Sequence, residues 1–211
     1  MRDYDLMLSP LLANVRVGGT NTAIVVVGGK MGKVFAYRAA DGRRLWTRSV
    51  GRHQNDVGPL PRKTVTVFPG GLGGVETPMA LAVGRIFVPW LDLPNRLSAT
   101  GFGSGRRGSH GRGGLTAVDA ATGRTLWEHK LPNQDFGAAT VANDVVFTST
   151  FDGTVYAFDA ASGKTLWTAR ARAGINGFPA VYGSTLLVPA GAKASFKQPK
   201  FELIAYSLGG R

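Results

Sequence analysis

A chain of 211 residues with 44% hydrophobic and 18% charged residues can bury a core of its own, which excludes a disordered polar chain. It has no cysteine, so no disulfide or thiolate metal site holds it, and no apolar run approaches the roughly 18 residues of a membrane-spanning helix. The formal charge of +12 leaves anionic partners open, but the densest basic stretch, Arg96 to Arg112, is Gly/Ser-rich and lacks the aromatics of a base-stacking platform, so no nucleic acid is expected.

The start Met1-Arg2-Asp3-Tyr4-Asp5 shows no basic-then-apolar secretory signal. Gly28-Gly29-Lys30-Met31-Gly32 reads as a turn. Val34-Phe35-Ala36-Tyr37 alternates as a strand, Asp41-Gly42 makes a corner, and a second strand closes on Leu45-Trp46. His53, Asn55 and Asp56 fall in a Pro/Gly-rich connection and read as loop rather than metal ligands. Met79 to Pro89 gives one strand pair, and Asn95 to Gly113 reads as a flexible insertion with little to bury. The hairpin then returns as Leu115-Thr116-Ala117-Val118-Asp119-Ala120-Ala121-Thr122-Gly123-Arg124-Thr125-Leu126-Trp127. It recurs 40 residues on, as Val155-Tyr156-Ala157-Phe158-Asp159-Ala160-Ala161-Ser162-Gly163-Lys164-Thr165-Leu166-Trp167. A degenerate copy, Leu203 to Gly210, ends the chain without its tryptophan.

Each hairpin is preceded by another strand pair, such as Ala139–Ala142 with Val145–Thr148, so each unit has four strands. Four-stranded units at a period of about 40 residues are the mark of a β-propeller. No window shows helical apolar spacing. The fold class expected is all-β, a single partial propeller with blades at about 5–50, 73–131, 135–171 and 174–208. Trp46, Trp127 and Trp167 stand in register and should lock neighbouring blades, whereas Trp90, out of register, is a candidate for a substrate mouth. Asp119 and Asp159 should cap the corner's backbone amides.

The pattern Ala-x-Asp-Ala-x-Thr/Ser-Gly-x-x-Leu-Trp resembles the repeat of pyrroloquinoline quinone (PQQ) type propellers. The copy at Val34 to Trp46 departs from it, with Arg38 in place of the aspartate. Three further segments resemble the dehydrogenase branch of that superfamily. Asp3-Tyr4-Asp5-Leu6 is similar to the stretch carrying the catalytic aspartate, which makes Asp5 the candidate base and a candidate metal ligand. Lys30, before a glycine-flanked turn, matches the cation that contacts the quinone carbonyls. Gly174-Ile175-Asn176-Gly177-Phe178-Pro179 resembles a late segment near the cofactor and makes Asn176 a candidate cofactor contact.

The resemblance implies PQQ and Ca²⁺ as cofactors, an alcohol or sugar as substrate, and a bacterial, periplasmic or other extracytoplasmic setting. It also implies an eight-bladed ring, of which this chain supplies the later half. Missing upstream blades or self-association are the expected partners, and the chain alone is expected not to oxidise alcohols. The alternative within the superfamily is a non-catalytic interaction scaffold like the outer-membrane assembly lipoprotein.

Overall fold

The computed structural model describes residues 4–103 and 111–207. The first unit is β1 (Leu11–Val17), β2 (Thr20–Gly29), β3 (Lys33–Arg38) and β4 (Arg44–Ser49), an antiparallel sheet in chain order. One face of β2 and β3, with Ile24, Val26, Val34 and Ala36, is fully buried against the second unit. Period-two alternation accounts for this, since residues on one side of the pleat share one environment.

A short strand, β5 (Val65–Val67), lies in the following connection. The second unit begins with β6 (Ala80–Ala82) and β7 (Arg85–Asp92). Next come β8 (Asn95–Ser98) and β9 (Gly101–Phe102), which pair with β5 as a separate small sheet in the order β5-β8-β9. The stretch 95–113 is thus built in at both ends instead of forming a free loop. Leu97 is completely buried, and Arg112–Gly113 already belongs to the next strand; residues 104–110 lie outside the described residues. β10 (Arg112–Asp119) and β11 (Thr125–Leu131) complete the second sheet, in the order β11-β10-β7-β6.

The third unit is β12 (Thr140–Ala142), β13 (Val145–Ser149), β14 (Thr154–Asp159) and β15 (Thr165–Arg170). The fourth is β16 (Ala180–Tyr182), β17 (Thr185–Ala190) and β18 (Glu202–Ser207), with three strands among the described residues. The inner strands β1, β6, β12 and β16 follow one another around an arc, and an apolar cluster fills each of the three junctions between consecutive units. The chain is an all-β protein of antiparallel propeller sheets.

The junctions share one device. In β3, β10 and β14 an alanine stands opposite the tryptophan of the outer strand, as Ala36↔Trp46, Ala117↔Trp127 and Ala157↔Trp167, and each pair is followed by a one-residue bulge. The bulge aims the indole across to the next unit. Trp46 Nε1 donates to the Ala120 carbonyl at 3.0 Å, and Trp127 Nε1 to the Ala160 carbonyl at 3.2 Å. Each ring lies on the next unit's corner glycine: a Cβ on Gly123 would sit 2.6 Å from Trp46, and one on Gly163 would sit 2.7 Å from Trp127. Only glycine fits beneath the ring. Trp167 instead meets Tyr206 edge-on and is 37% exposed, so it is less enclosed than the other two.

The corners themselves are held by side chains. Asp119 Oδ1 accepts from the Thr122 amide and hydroxyl, and Asp159 Oδ1 does the same with Ser162. The first unit reaches this conformation with the polarity reversed: Arg38 donates to both oxygens of Asp41. The hydrogen bond from that guanidinium holds the Asp41 carboxyl down to about 2. The substitution of Arg38 for the aspartate therefore leaves the corner intact.

Candidate functional site

Every unit carries the same backbone bridge, whose acceptor lies six residues before the inner strand. The amides of Lys30, Leu91, Phe151 and Ala192 donate to the carbonyls of Asp5, Gly74, Gln134 and Gly174, at 3.0, 2.9, 2.8 and 2.9 Å. This repeat makes Asp5 and Lys30 neighbours, although 25 residues separate them. The side chains then complete the pair, with Lys30 Nζ 3.2 Å from Asp5 Oδ2.

Lys30 is a nearly buried cation, its side chain 9% exposed, while Asp5 stands 65% exposed at the rim. The stem of a lysine can be buried so deeply only where the backbone makes room, and glycines do so here. A Cβ on Gly29 would come 2.4 Å from the Asp5 carbonyl, and a Cβ on Gly74 would come 2.3 Å from the Lys30 carbonyl. The glycines of Gly28-Gly29-Lys30-Met31-Gly32 thus admit Asp5 from one side and the second unit from the other.

A strap from the connection after β4 holds both halves of the pair. His53 Nδ1 is 2.6 Å from Asp56 Oδ2, and its Nε2 is 3.2 Å from the Gly32 carbonyl, two residues beyond Lys30. Tyr4 Oη, one residue before Asp5, donates to the Asp56 carbonyl at 3.0 Å. These residues read as plain loop in the sequence. The His-x-x-Asp spacing was the one available sign, and without the fold it names no partner.

Asn176 is exposed, two residues beyond the Gly174 bridge of the fourth unit. It is therefore at the same end of its sheet as Asp5 and Lys30 are of theirs. The corresponding positions of the second and third units hold Glu76 and Phe136. Trp90 is a core residue rather than an open mouth, 1% exposed and donating from Nε1 to Thr116 Oγ1 at 2.9 Å. It backs a cleft of about 530 Å³ lined also by Arg52, Phe68, Asp92 and Lys130.

Sequence reasoning missed Asp135. It follows Gln134 in the third unit's bridge, where the second and fourth units have Val75 and Ile175. Its side chain is completely buried; Oδ1 lies 2.5 Å from Thr148 Oγ1 and Oδ2 has no partner among the described residues. Burial pushes this carboxyl well above the usual range, against the opposing hydrogen bonds from Thr148 and the Gly137 amide.

The pair can do two things chemically: Asp5 can accept a proton, and Lys30 offers a fixed positive charge next to it. A calcium ion takes about six to eight oxygen ligands. Among the described residues no group of three or more Asp, Glu or His side chains gathers, and the Asp5 carboxylate already faces an ammonium. The described residues do not make a calcium cage. No helix among them is long and apolar enough to cross a membrane.

Residues 95–210 match the family model described as outer membrane protein assembly factor BamB. The structure is similar to quinohemoprotein alcohol dehydrogenase from Comamonas testosteroni, with a TM-score of 0.82 and 19% identity over 100% of this chain and 39% of that one. It is also similar to a europium-containing methanol dehydrogenase, with a TM-score of 0.75 and 19% identity over 90% of this chain and 40% of that one. BamB from Moraxella catarrhalis gives a TM-score of 0.56 and 20% identity over 95% and 50% of the two chains. The chain thus spans about two-fifths of the length of the dehydrogenases it matches. No curated protein sequence matches it. With more than half of its length matched by that family model and its sheets locked by the repeat's own alanines, glycines and tryptophans, the chain belongs to the PQQ-type, BamB-like β-propeller repeat family.

Proposed function

We propose that this chain is one arc of a bacterial, extracytoplasmic quinone-dependent alcohol or sugar dehydrogenase, and that Asp5 and Lys30 serve its reaction. The observation that carries the reading is the Asp5–Lys30 pair, a rim carboxylate 3.2 Å from a nearly buried ammonium. Asp5 acts as general base and takes the proton of the substrate hydroxyl. When bound, PQQ supplies the two-electron acceptor for the carbon-bound hydrogen, which leaves as hydride. Lys30 holds the Asp5 carboxylate in place through the ion pair and offers positive charge where negative charge develops on the quinone oxygens. Asn176 contributes a polar contact from the fourth unit. The calcium ligands and the rest of the quinone site come from other blades of the ring.

A scaffold reading stands beside this one, and a specific observation favours it. The family model described as BamB matches residues 95–210, the part of the chain without Asp5 and Lys30. A protein-interaction ring would keep the sheets and leave the pair as a structural ion pair.

Oxidation of a primary alcohol with added PQQ, Ca²⁺ and an electron-accepting dye distinguishes the two. A longer protein in which upstream blades precede this segment is expected to turn over, and Asp5→Asn to lower kcat by about 100-fold or more, the scale of general-base catalysis. The 211-residue chain alone is expected to be inactive. A longer protein that neither binds PQQ nor turns over supports the scaffold.

A further inference from the structure

We infer that the cleft beside Trp90 is a binding site for a small polyhydroxylated monocarboxylate, an acid of the sugar-acid class. Register builds its floor from one face of the second sheet. Asp92 stands opposite Arg112, Trp90 opposite Gly114, Gly114 opposite Lys130, and in the next row Thr116 opposite Glu128. Gly114 lets the Trp90 ring cross the middle of that face, where a Cβ would collide with it. The Thr116 hydroxyl accepts from the indole and donates on to Glu128 Oε2 at 3.2 Å, which fixes the floor. Arg52, Phe68 and Pro94 close the cleft from the connections on either side of the small sheet. Its volume of about 530 Å³ lies inside the range of about 300–1,000 Å³ of small-molecule sites.

The charge in the cleft is unbalanced, and the third unit shows what is missing. Five residues before the alanine of the lock, the second unit has Arg112 where the third has Asp152; three residues after the tryptophan, it has Lys130 where the third has Arg170. In the third unit this acid and base close on each other, with Arg170 Nη1 3.2 Å from Asp152 Oδ2. In the second unit an arginine replaces the acid, so two cations occupy the place of an ion pair. Arg52 adds a third charge: its guanidinium lies 4.2 Å from the centre of the Phe68 ring and donates to the neutral Gln54 amide oxygen. None of these three side chains forms an ion pair among the described residues. Residues 104–110, which come just before β10, contain no acid to supply one. Cations arranged in this way take a carboxylate through charge-assisted hydrogen bonds.

The remaining polar lining specifies the rest of the ligand. Asp92 and Glu128 repel a second acidic group, so the ligand carries one carboxylate. Asp92 Oδ1 takes the Arg52 amide at 2.7 Å and Glu128 Oε2 takes the Thr116 hydroxyl, which leaves the second oxygen of each to accept from a ligand hydroxyl. One carboxylate with several hydroxyls satisfies both sets of groups. The site uses neither Asp5 nor Lys30, so it stands whether the ring is a dehydrogenase or a scaffold.

Gluconate is the probe, titrated into the full 211-residue chain and followed through the Trp90 indole N–H and Gly113 amide resonances. Saturable binding is expected, with glucose, which lacks the charge, and acetate, which lacks the hydroxyls, each weaker by about tenfold or more. Arg112→Asp gives the second unit the acid of the third. It is expected to hold the urea midpoint at or above the parent's by pairing with Lys130, and to weaken gluconate by about tenfold or more. The same charge change at the exposed Lys164, Lys164→Asp, is expected to leave binding unchanged, which separates the cleft from the overall charge of +12. Lys130→Gln removes one cation without adding an acid and is also expected to weaken binding. The site is overturned if gluconate does not saturate, or if its affinity is unchanged in Lys130→Gln or in a folded Arg112→Asp. A loss in Lys164→Asp as large as in Arg112→Asp overturns it too. Equal affinity for gluconate and acetate, or for gluconate and glucose, overturns the assignment to a sugar acid.

Discussion

Asp135 shows how a single side chain can set the pH response of the fold. Thr148 Oγ1 lies 2.6 Å from the Ala138 carbonyl and 2.5 Å from Asp135 Oδ1. A hydroxyl has one proton to give, so when it goes to the carbonyl the carboxyl must hold its own proton and donate it to Thr148. Desolvation favours the same neutral form and raises the carboxyl. Below the carboxyl's unfolded value both folded and unfolded chains carry the proton, and its contribution to stability is complete. As pH rises the unfolded chain ionises first, so that contribution is lost progressively up through the raised folded value. Asp135→Asn is expected to flatten the fall of stability from pH 4 to pH 8, read as urea midpoints along the series. A parent and variant with parallel pH profiles would mean that the carboxyl is ionised in the fold.

The glycine beside the lysine is equally specific. Gly29→Ala must move the Asp5 carbonyl, which a Cβ would approach to 2.4 Å, and overpacking of this kind costs about 1–3 kcal/mol. Faster exchange of the Lys30 amide, whose acceptor is that carbonyl, is the accompanying signature; unchanged exchange would contradict the contact. Asp5 and Lys30 were readable in the sequence because each sits in a short local motif, and their contact follows from a bridge repeated in every unit. Asp135 was not readable, because one acid in a polar connection looks the same whether it is solvated or sealed under Thr148.

Among the elements, the outer strands β4, β11 and β15 carry the register of the whole arc. Trp127 packs tilted against Phe87 and Phe158, one from each unit it joins. Trp127→Ala is expected to cost about 3–5 kcal/mol, the range for a large aromatic truncated in a core. Trp167→Ala is expected to cost about half of that or less, since 37% of the residue already faces solvent. Urea midpoints that fall equally in the two variants would mean that recurrence in sequence, not burial, measures the strength of a lock. The recurring Ala, Gly and Trp made the strands and their corners legible. The direction of the lock was not legible, because a tryptophan's partner in the next unit lies 33 or 74 residues away and only the bulge aims the ring there. The small sheet β5-β8-β9 escaped for the same reason: Leu97 pairs with Val65 across a long connection, and Gly/Ser composition hid the pairing.

At the scale of the whole molecule, three separate apolar clusters among the described residues pack each unit on its neighbours. The first joins units one and two around Trp46 and Trp90, the second joins two and three around Phe87 and Phe158, and the third joins three and four around Ile175 and Val188. An arrangement of this kind behaves as a one-dimensional array, whose stability is a sum of units and nearest-neighbour junctions. In the fourth sheet, three strands stand among the described residues, and Leu203, at 68% exposed, lies on β18. Leu186→Ala removes a large side chain from the third cluster, where Leu186 is 6% exposed, and should cost that junction about 2–5 kcal/mol. In a linear array the loss stays local. Amide exchange in β16–β18 is expected to accelerate strongly, while β2 and β3, two junctions away, keep the parent's protection. The four units would instead be one cooperative body if exchange rose by the same factor from β1 to β18.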